Sequence, residues 1–81
     1  MISDRIRDRL ARDFSGEEHA QATALVQRVP DELAQWNVVT ETDRVEAAVL
    51  KLAAGDLERL RAMVQDALRD WRDVLVAAGD G

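Results

Sequence analysis

The chain has 81 residues, a formal net charge of −5 and no cysteine. This length predicts one domain, residues 1–81, which buries only about 60% of the surface that its unfolded form would expose and so has a thin stability margin. The lack of cysteine excludes disulfides and thiolate metal sites, and the acidic balance opposes binding to nucleic-acid backbones and anionic lipid. No apolar run approaches the ~20 residues that span a bilayer, and the charged N-terminus lacks a secretory signal, so we expect a cytoplasmic protein without membrane contact.

The first predicted element is an amphipathic helix over residues 4–13. Ile6 and Leu10 are four residues apart and Phe14 follows by four more, which gives one narrow apolar edge. Ser3 is the expected N-cap, because a serine hydroxyl accepts a hydrogen bond from a free amide of the first turn. The other faces carry arginine and aspartate.

The second predicted helix covers residues 16–28. Ser15 and Glu18 have the spacing of a capping box, in which each side chain satisfies one free amide. Pro30 is expected to end this helix, since the residue before a proline avoids the helical region. A proline also suits the first position of a helix, so residues 30–36 are predicted to form a short helical turn.

A helical hairpin is predicted for the C-terminal half. Its first helix covers residues 41–54, with Thr40 and Asp43 as a weak capping signal. Gly55 is expected to stop this helix in the left-handed conformation, and Asp56 is expected to cap the next helix at once. Two helices joined by so short a turn must lie side by side.

The last helix is predicted to run without a break over residues 57–78, a length of roughly 33 Å at about 1.5 Å per residue. Its apolar residues repeat with alternating steps of three and four, which is the pattern of a heptad seam. We expect part of this seam to lie beyond the reach of the shorter helices and to form a partner interface, made of Val64, Leu68, Trp71, Val74 and Leu75.

The three aromatic residues, Phe14, Trp36 and Trp71, have two interpretations. They are first interpreted as core anchors of a small bundle. Trp71 has a second interpretation as an interface hot spot, because tryptophan is enriched at such positions. Trp36 lies near a loop and is expected to be half exposed.

The sequence offers little for catalysis or metal binding. The single histidine, His19, follows Glu17 and Glu18, but adjacent residues on a helix point in different directions. A Glu-x-x-His metal motif would need a glutamate where Gly16 stands, and no HExxH motif or glycine-rich phosphate loop is present. We therefore expect a solvated histidine, no metal, no cofactor and no enzymatic activity.

The alternative function is nucleic-acid binding. The first predicted helix carries Arg5, Arg7, Arg9 and Arg12, although three aspartates nearly cancel their charge. The predicted hairpin also suggests a helix-turn-helix, but the outer face of its second helix is net acidic, whereas a DNA-reading helix is basic or rich in amides.

The segment "RVEAAVLKLAAGDLERLRAMVQDALRDWRDVLVAAG" resembles small bacterial all-helical proteins. In these proteins an "LAAGDL" turn leads to a helix that ends in "DWRDVLVAAG". The resemblance covers roughly the C-terminal half, and its motifs are helix stops and seam residues. It implies a fold and a bacterial source, but no activity is known for such proteins, so no functional residue is carried over.

Taken together, the patterns predict an all-α bundle of four main helices, one short helical turn and a C-terminal hairpin. The predicted function is that of a non-catalytic helical module that binds a protein partner or a second copy of itself. A small regulator that binds nucleic acid through the arginine-rich first helix is the alternative.

Overall fold

The fold is all-helical, as the sequence predicts. The computed structural model describes residues 2–38 and 41–79 and contains no strand within these two ranges. The chain forms α1 (Asp4–Asp13), α2 (Glu17–Leu33), α3 (Thr42–Ala53), α4 (Leu57–Arg69) and α5 (Trp71–Ala77), with a 3₁₀ turn at Ala34–Trp36 after α2. The predicted count of four main helices is therefore one too low.

Helix α1 agrees with its prediction. The Ser3 hydroxyl accepts a hydrogen bond from the Ile6 amide at 3.4 Å, and Phe14 ends the helix by donating its amide to the Leu10 carbonyl at 2.9 Å. Ile6, Leu10 and Phe14 are all buried. Because the apolar edge is narrow, α1 contacts only α2 and α3 and lies on the outside of the bundle.

The start of α2 differs from the prediction. Gly16 is the N-cap residue, with φ of 61°, and no side chain caps this end, so the predicted capping box of Ser15 and Glu18 is wrong. This backbone conformation with positive φ explains why a glycine stands there, since other residues rarely adopt it. Glu17 and Glu18 lie in the first turn, where their negative charge interacts favourably with the positive end of the helix dipole.

Helix α2 also continues through Pro30, which was expected to end it. An internal proline removes one backbone hydrogen bond and costs a helix about 3 kcal/mol. The continuation nevertheless buries Val29, Pro30 and Leu33 against the other helices. Burial of these apolar side chains offsets that cost, and only the 3₁₀ turn remains of the separate element predicted at residues 30–36.

The predicted hairpin forms between α3 and α4, which pack closely. Ala54 and Gly55 both adopt positive φ, at 52° and 80°, and so two residues rather than one turn the chain. The Asp56 carboxylate caps α4 by accepting hydrogen bonds from two amides, at 2.9 and 3.2 Å. Glu41 is the N-cap residue of α3, and the predicted cap Thr40 lies outside the described residues.

The core contains apolar residues from all five helices. The radius of gyration, 11.3 Å, is close to the value of about 12 Å that is typical of a compact domain of this length. Helix α4 packs on α2, α3 and α5, and α5 folds back against α3. The residues without measurable exposure are Leu10, Ala22, Val26, Val29, Leu33, Val45, Ala48, Val49, Leu50, Ala53, Leu60, Val64 and Ala67.

Candidate functional site

The last predicted helix is broken at Asp70, and this break creates the candidate site. The Asp70 amide donates to the Asp66 carbonyl at 2.8 Å, which ends α4. The Asp70 carboxylate accepts a hydrogen bond from the Arg72 amide at 3.1 Å, which caps α5. Aspartate is suited to this double role because its short side chain competes with helical backbone bonds. The prediction of one helix over residues 57–78 is therefore wrong.

The break lets α5 fold back onto α3. Val74, Leu75 and Ala78 are at most 5% exposed, whereas a straight helix would carry them away from the bundle. The Lys51 ammonium on α3 donates to the Ala78 carbonyl at 2.7 Å. This bond satisfies one of the free carbonyls at the end of α5 and places a positive charge at the negative end of the helix dipole.

A cleft of about 260 Å³ opens between α3, α4 and α5, where the two parts of the broken helix meet. We call this the α3–α5 cleft. Its floor is apolar and consists of Leu52, Met63, Val74 and Ala77. Val74 is buried, Leu52 and Met63 are half-buried, and Ala77 is exposed. The floor therefore offers apolar surface that is continuous with the core but is reached from solvent.

The rim of the α3–α5 cleft is acidic. It consists of Asp66, Arg69, Asp70 and Asp73, which together carry a formal charge of −2. Arg69 pairs with Asp66 at 3.0 Å, and one oxygen of Asp70 is used by the cap. Within the described residues, the Asp73 carboxylate makes no hydrogen bond or ion pair. Unused carboxylate oxygens therefore stand directly beside an apolar floor.

The five residues of the predicted interface are not together on the surface. Val64, Val74 and Leu75 are buried by the chain's own helices, so the expectation that the short helices cannot reach this part of the seam is wrong. Leu68 and Trp71 are half-buried and pack against the core. The side chain of Arg72 lies over the Trp71 ring, 5.5 Å from its centre, and covers part of it.

The other two aromatic residues differ from each other. Phe14 is buried, as a core anchor should be, whereas Trp36 is 53% exposed in the 3₁₀ turn. The expected half-exposure of Trp36 is therefore confirmed. The exposed ring belongs to the 3₁₀ turn, and no residue of this turn lines the α3–α5 cleft.

The arginines of α1 face aspartates. Arg5 pairs with Asp43 of α3, and Arg9 and Arg12 lie 3.4 and 3.9 Å from Asp13. The Ser3 hydroxyl also donates to Asp43, at 2.6 Å. A second cavity, of about 280 Å³, is lined by Arg5, Asp8, Arg9 and Arg12. The exposed Arg7 completes the predicted set. Most of this positive charge is thus compensated within the chain.

Glu46 is a buried acid that the sequence analysis missed. It is 1% exposed, and its Oε1 atom has no hydrogen-bond partner among the described residues. Burial raises the pKa of Glu46 to about 7 and the charge of Asp43 raises it too, while the amino terminus and Arg5 act in the opposite direction. Strongly perturbed acids mark functional sites in many proteins, but Glu46 does not line either cavity.

A sequence signal for the burial of Glu46 exists in α3. Leu50 and Ala53 follow Glu46 by four and seven residues, so these three positions lie on one side of the helix. They form a second buried stripe beside that of Val45, Ala48 and Val49. Helix α3 is covered on two sides because it contacts α1, α2, α4 and α5.

His19 is half-exposed near the start of α2, and its carbonyl accepts a hydrogen bond from Thr23. No group of acidic or histidine side chains in ranges 2–38 and 41–79 has the arrangement of a metal site. None of the helices in those ranges is long and apolar enough to cross a membrane. Comparisons with known protein families, curated proteins and solved structures find no match to this chain.

Proposed function

We propose that the protein is a small, non-catalytic helical module that binds another protein through the α3–α5 cleft. The observation that carries this proposal is the apolar floor of the cleft, which remains open to solvent beside unused carboxylates. Its volume of about 260 Å³ is below the ~300–1,000 Å³ of pockets that enclose small-molecule ligands. A cleft of this size suits one or two side chains of a protein partner.

The floor also has the composition of a protein-binding surface. Methionine is flexible and polarisable and fits partner side chains of different shape. Met63 is half-buried in the floor and packs against the core, so part of its side chain is accessible from solvent. Ala77 leaves space for a partner side chain in the cleft, because its own side chain is small. These features support an anchor side chain that enters from a partner.

Self-association remains one form of the proposal, but through a different surface from the one expected. Three of the five seam residues predicted to form the partner interface are core residues of the single chain. A dimer would therefore have to use another surface, such as the α3–α5 cleft or the exposed Trp36. Light scattering would separate a monomer of 9.0 kDa from a particle of twice that mass.

Nucleic-acid binding through α1 stays a prediction and receives less support. Three of its four arginines already face aspartates, so contact with phosphate would have to replace existing ion pairs. Such binding would be strongly weakened by salt, and a gel shift at low salt would detect it. The cytoplasmic location likewise stays a prediction from the sequence.

Site-specific photo-crosslinking in the native organism tests the proposed function. A benzophenone amino acid is placed at Ala77, at the edge of the cleft floor. The matched control carries it at Gln21, which is exposed on α2. We expect a covalent adduct with another protein at Ala77 only, because an occupant of the cleft lies against this position. Mass spectrometry then identifies the partner or a second copy of the chain.

The proposal is refuted if Ala77 gives no more adduct than Gln21. A purified complex provides the confirmation, because the identified partner must bind the wild-type chain and lose affinity for an Ala77→Met variant. The larger side chain fills the cleft, and α5 tolerates it because methionine is a good helix former.

A further inference from the structure

We infer that the side chain received by the α3–α5 cleft is an arginine or a lysine, presented by a partner protein next to an apolar residue. This inference rests on the proposed function and names the chemistry of its partner. It follows from the combination of floor and rim, which matches the two parts of a long basic side chain. The aliphatic stem of such a side chain packs on apolar surface while its charged head stays in water.

The rim supplies the acceptors for the charged head. Asp73 has both carboxylate oxygens unused within the described residues, and Asp70 uses only Oδ1 to cap α5. Two carboxylates that line the same cleft suit a guanidinium, whose N–H groups form a planar fork. The Asp66–Arg69 pair next to them leaves the rim at −2, so a positive head is attracted and a carboxylate is repelled.

The floor supplies the contact for the stem and for a neighbouring apolar residue. Leu52 and Met63 are half-buried hydrophobic residues on different helices, and they line the cleft together with the buried Val74. A charged side chain alone would leave this surface partly wet. A partner segment with an apolar residue one helical turn from the basic residue would cover both parts of the cleft.

The net charge of the whole chain favours the same partner. At −5 the protein attracts basic surfaces at long range and repels acidic ones, which accelerates encounter with a basic partner at low salt. Asp70 contributes both to this charge and to the fold, because its side chain caps α5 at the helix break and also belongs to the rim.

Selection from a display library of random 12-residue peptides tests the inference. The full chain is immobilised, and bound peptides are sequenced and compared with the unselected library. We expect enrichment of arginine or lysine three or four residues from leucine, isoleucine or methionine. The most enriched peptide is then synthesised together with a version in which its basic residue is replaced by glutamine.

Two double variants of the protein provide the matched comparison. Asp70→Asn with Asp73→Asn removes two charges from the rim and keeps an N-cap side chain on α5. Asp8→Asn with Glu17→Gln removes two exposed charges elsewhere. We expect the glutamine peptide to bind wild type about fivefold more weakly than the basic peptide, as for a partly exposed ion pair. The rim variant should lose this preference, and the control variant should keep it.

The outcomes separate the inference from the proposed function. If the selected peptides lack basic residues, or if the rim variant keeps the preference, the inference is wrong. In that case blockage by Ala77→Met still supports the cleft as a protein-binding site. If binding is unaffected by Ala77→Met, or if no peptide is enriched, both proposals fail. If free L-arginine binds as tightly as the peptide, the ligand is a small molecule and the inferred protein partner is wrong.

Discussion

Replacement of the buried acid Glu46 by glutamine should change how the stability of the protein depends on pH. The two side chains have nearly the same shape, but only the acid titrates. Glu46 is 1% exposed, and burial together with Asp43 raises its pKa from 4.5 to about 7 in the folded state. The folded protein therefore holds a proton on Glu46 over a range of pH in which the unfolded chain has released it.

The sign and the size of the effect follow from proton linkage. Below pH 4.5 Glu46 is neutral in both states and its ionisation costs nothing. Between pH 4.5 and about 7 the unfolded state binds fewer protons than the folded state, so stability falls as pH rises. A difference of one pKa unit corresponds to about 1.4 kcal/mol, so the full cost above pH 7 is about 3 kcal/mol. This is a large part of the total stability of a small domain.

Urea denaturation at pH 4.5, 5.5, 6.5, 7.5 and 8.5 is the assay, read by circular dichroism. Because other carboxylates also titrate, the informative quantity is the free energy of unfolding of Glu46→Gln minus that of wild type. We expect this difference to rise by about 3 kcal/mol from the lowest pH to the highest, with most of the rise below pH 7.5. Glu17→Gln, which changes an exposed side chain in the first turn of α2, serves as the control.

A constant difference between Glu46→Gln and wild type over this range would refute the reasoning. It would mean that Glu46 titrates in the folded state as it does in the unfolded chain, because its carboxylate is solvated. A fall in the difference with rising pH would mean that the charged form of Glu46 is stabilised by Arg5. The slope is decisive even if the glutamine amide gains or loses a hydrogen bond, because that contribution does not depend on pH.

Three further predictions concern the packing of α5, its anchor on α3 and the docking of α1. Asp70→Ala should lower the free energy of unfolding by about 1 kcal/mol and Asp70→Asn by only a few tenths, as measured by urea denaturation; equal losses would show that the cap does not hold the break. Lys51→Met should accelerate hydrogen exchange at the end of α5, since the bond to Ala78 is lost, and unchanged exchange would contradict a role in anchoring. Leu10→Ala should lower the free energy of unfolding by about 2–5 kcal/mol, because Leu10 is fully buried. Arg5→Ala should lower it by less than about 1 kcal/mol, because the pair of Arg5 with Asp43 is exposed. Thermal denaturation of the two variants side by side checks this contrast.

The cap at Asp56 and the helix at residues 4–13 were predictable because their determinants are local. Ser3 and Asp56 cap the helices that follow them through bonds to amides two or three residues away. Such interactions depend on the identity of neighbouring residues and not on the rest of the fold. The apolar stripes were predictable for the same reason, since a period of 3.6 residues places them on one side of a helix.

The break at Asp70 and the continuation through Pro30 could not be predicted in the same way. In each case the local preference is only a tendency, and the tertiary contacts decide the outcome. Burial of Val29 and Leu33 offsets the missing hydrogen bond at Pro30. Burial of Val74 and Leu75 against the bundle favours the broken helix over the straight one. The α3–α5 cleft depends on that break, so no sequence pattern predicted the cleft.

The amino-acid sequence by itself thus determined the helical class, the amphipathic faces and the local caps. The tertiary structure alone decided which faces meet, and therefore that the seam of the last helix is covered by its own chain. It also decided that Glu46 is enclosed on a helix with two buried sides. The physical reason is one of scale. A cap or a stripe is stabilised within one or two turns, whereas a helix break or a buried acid depends on the summed burial of residues distant in sequence.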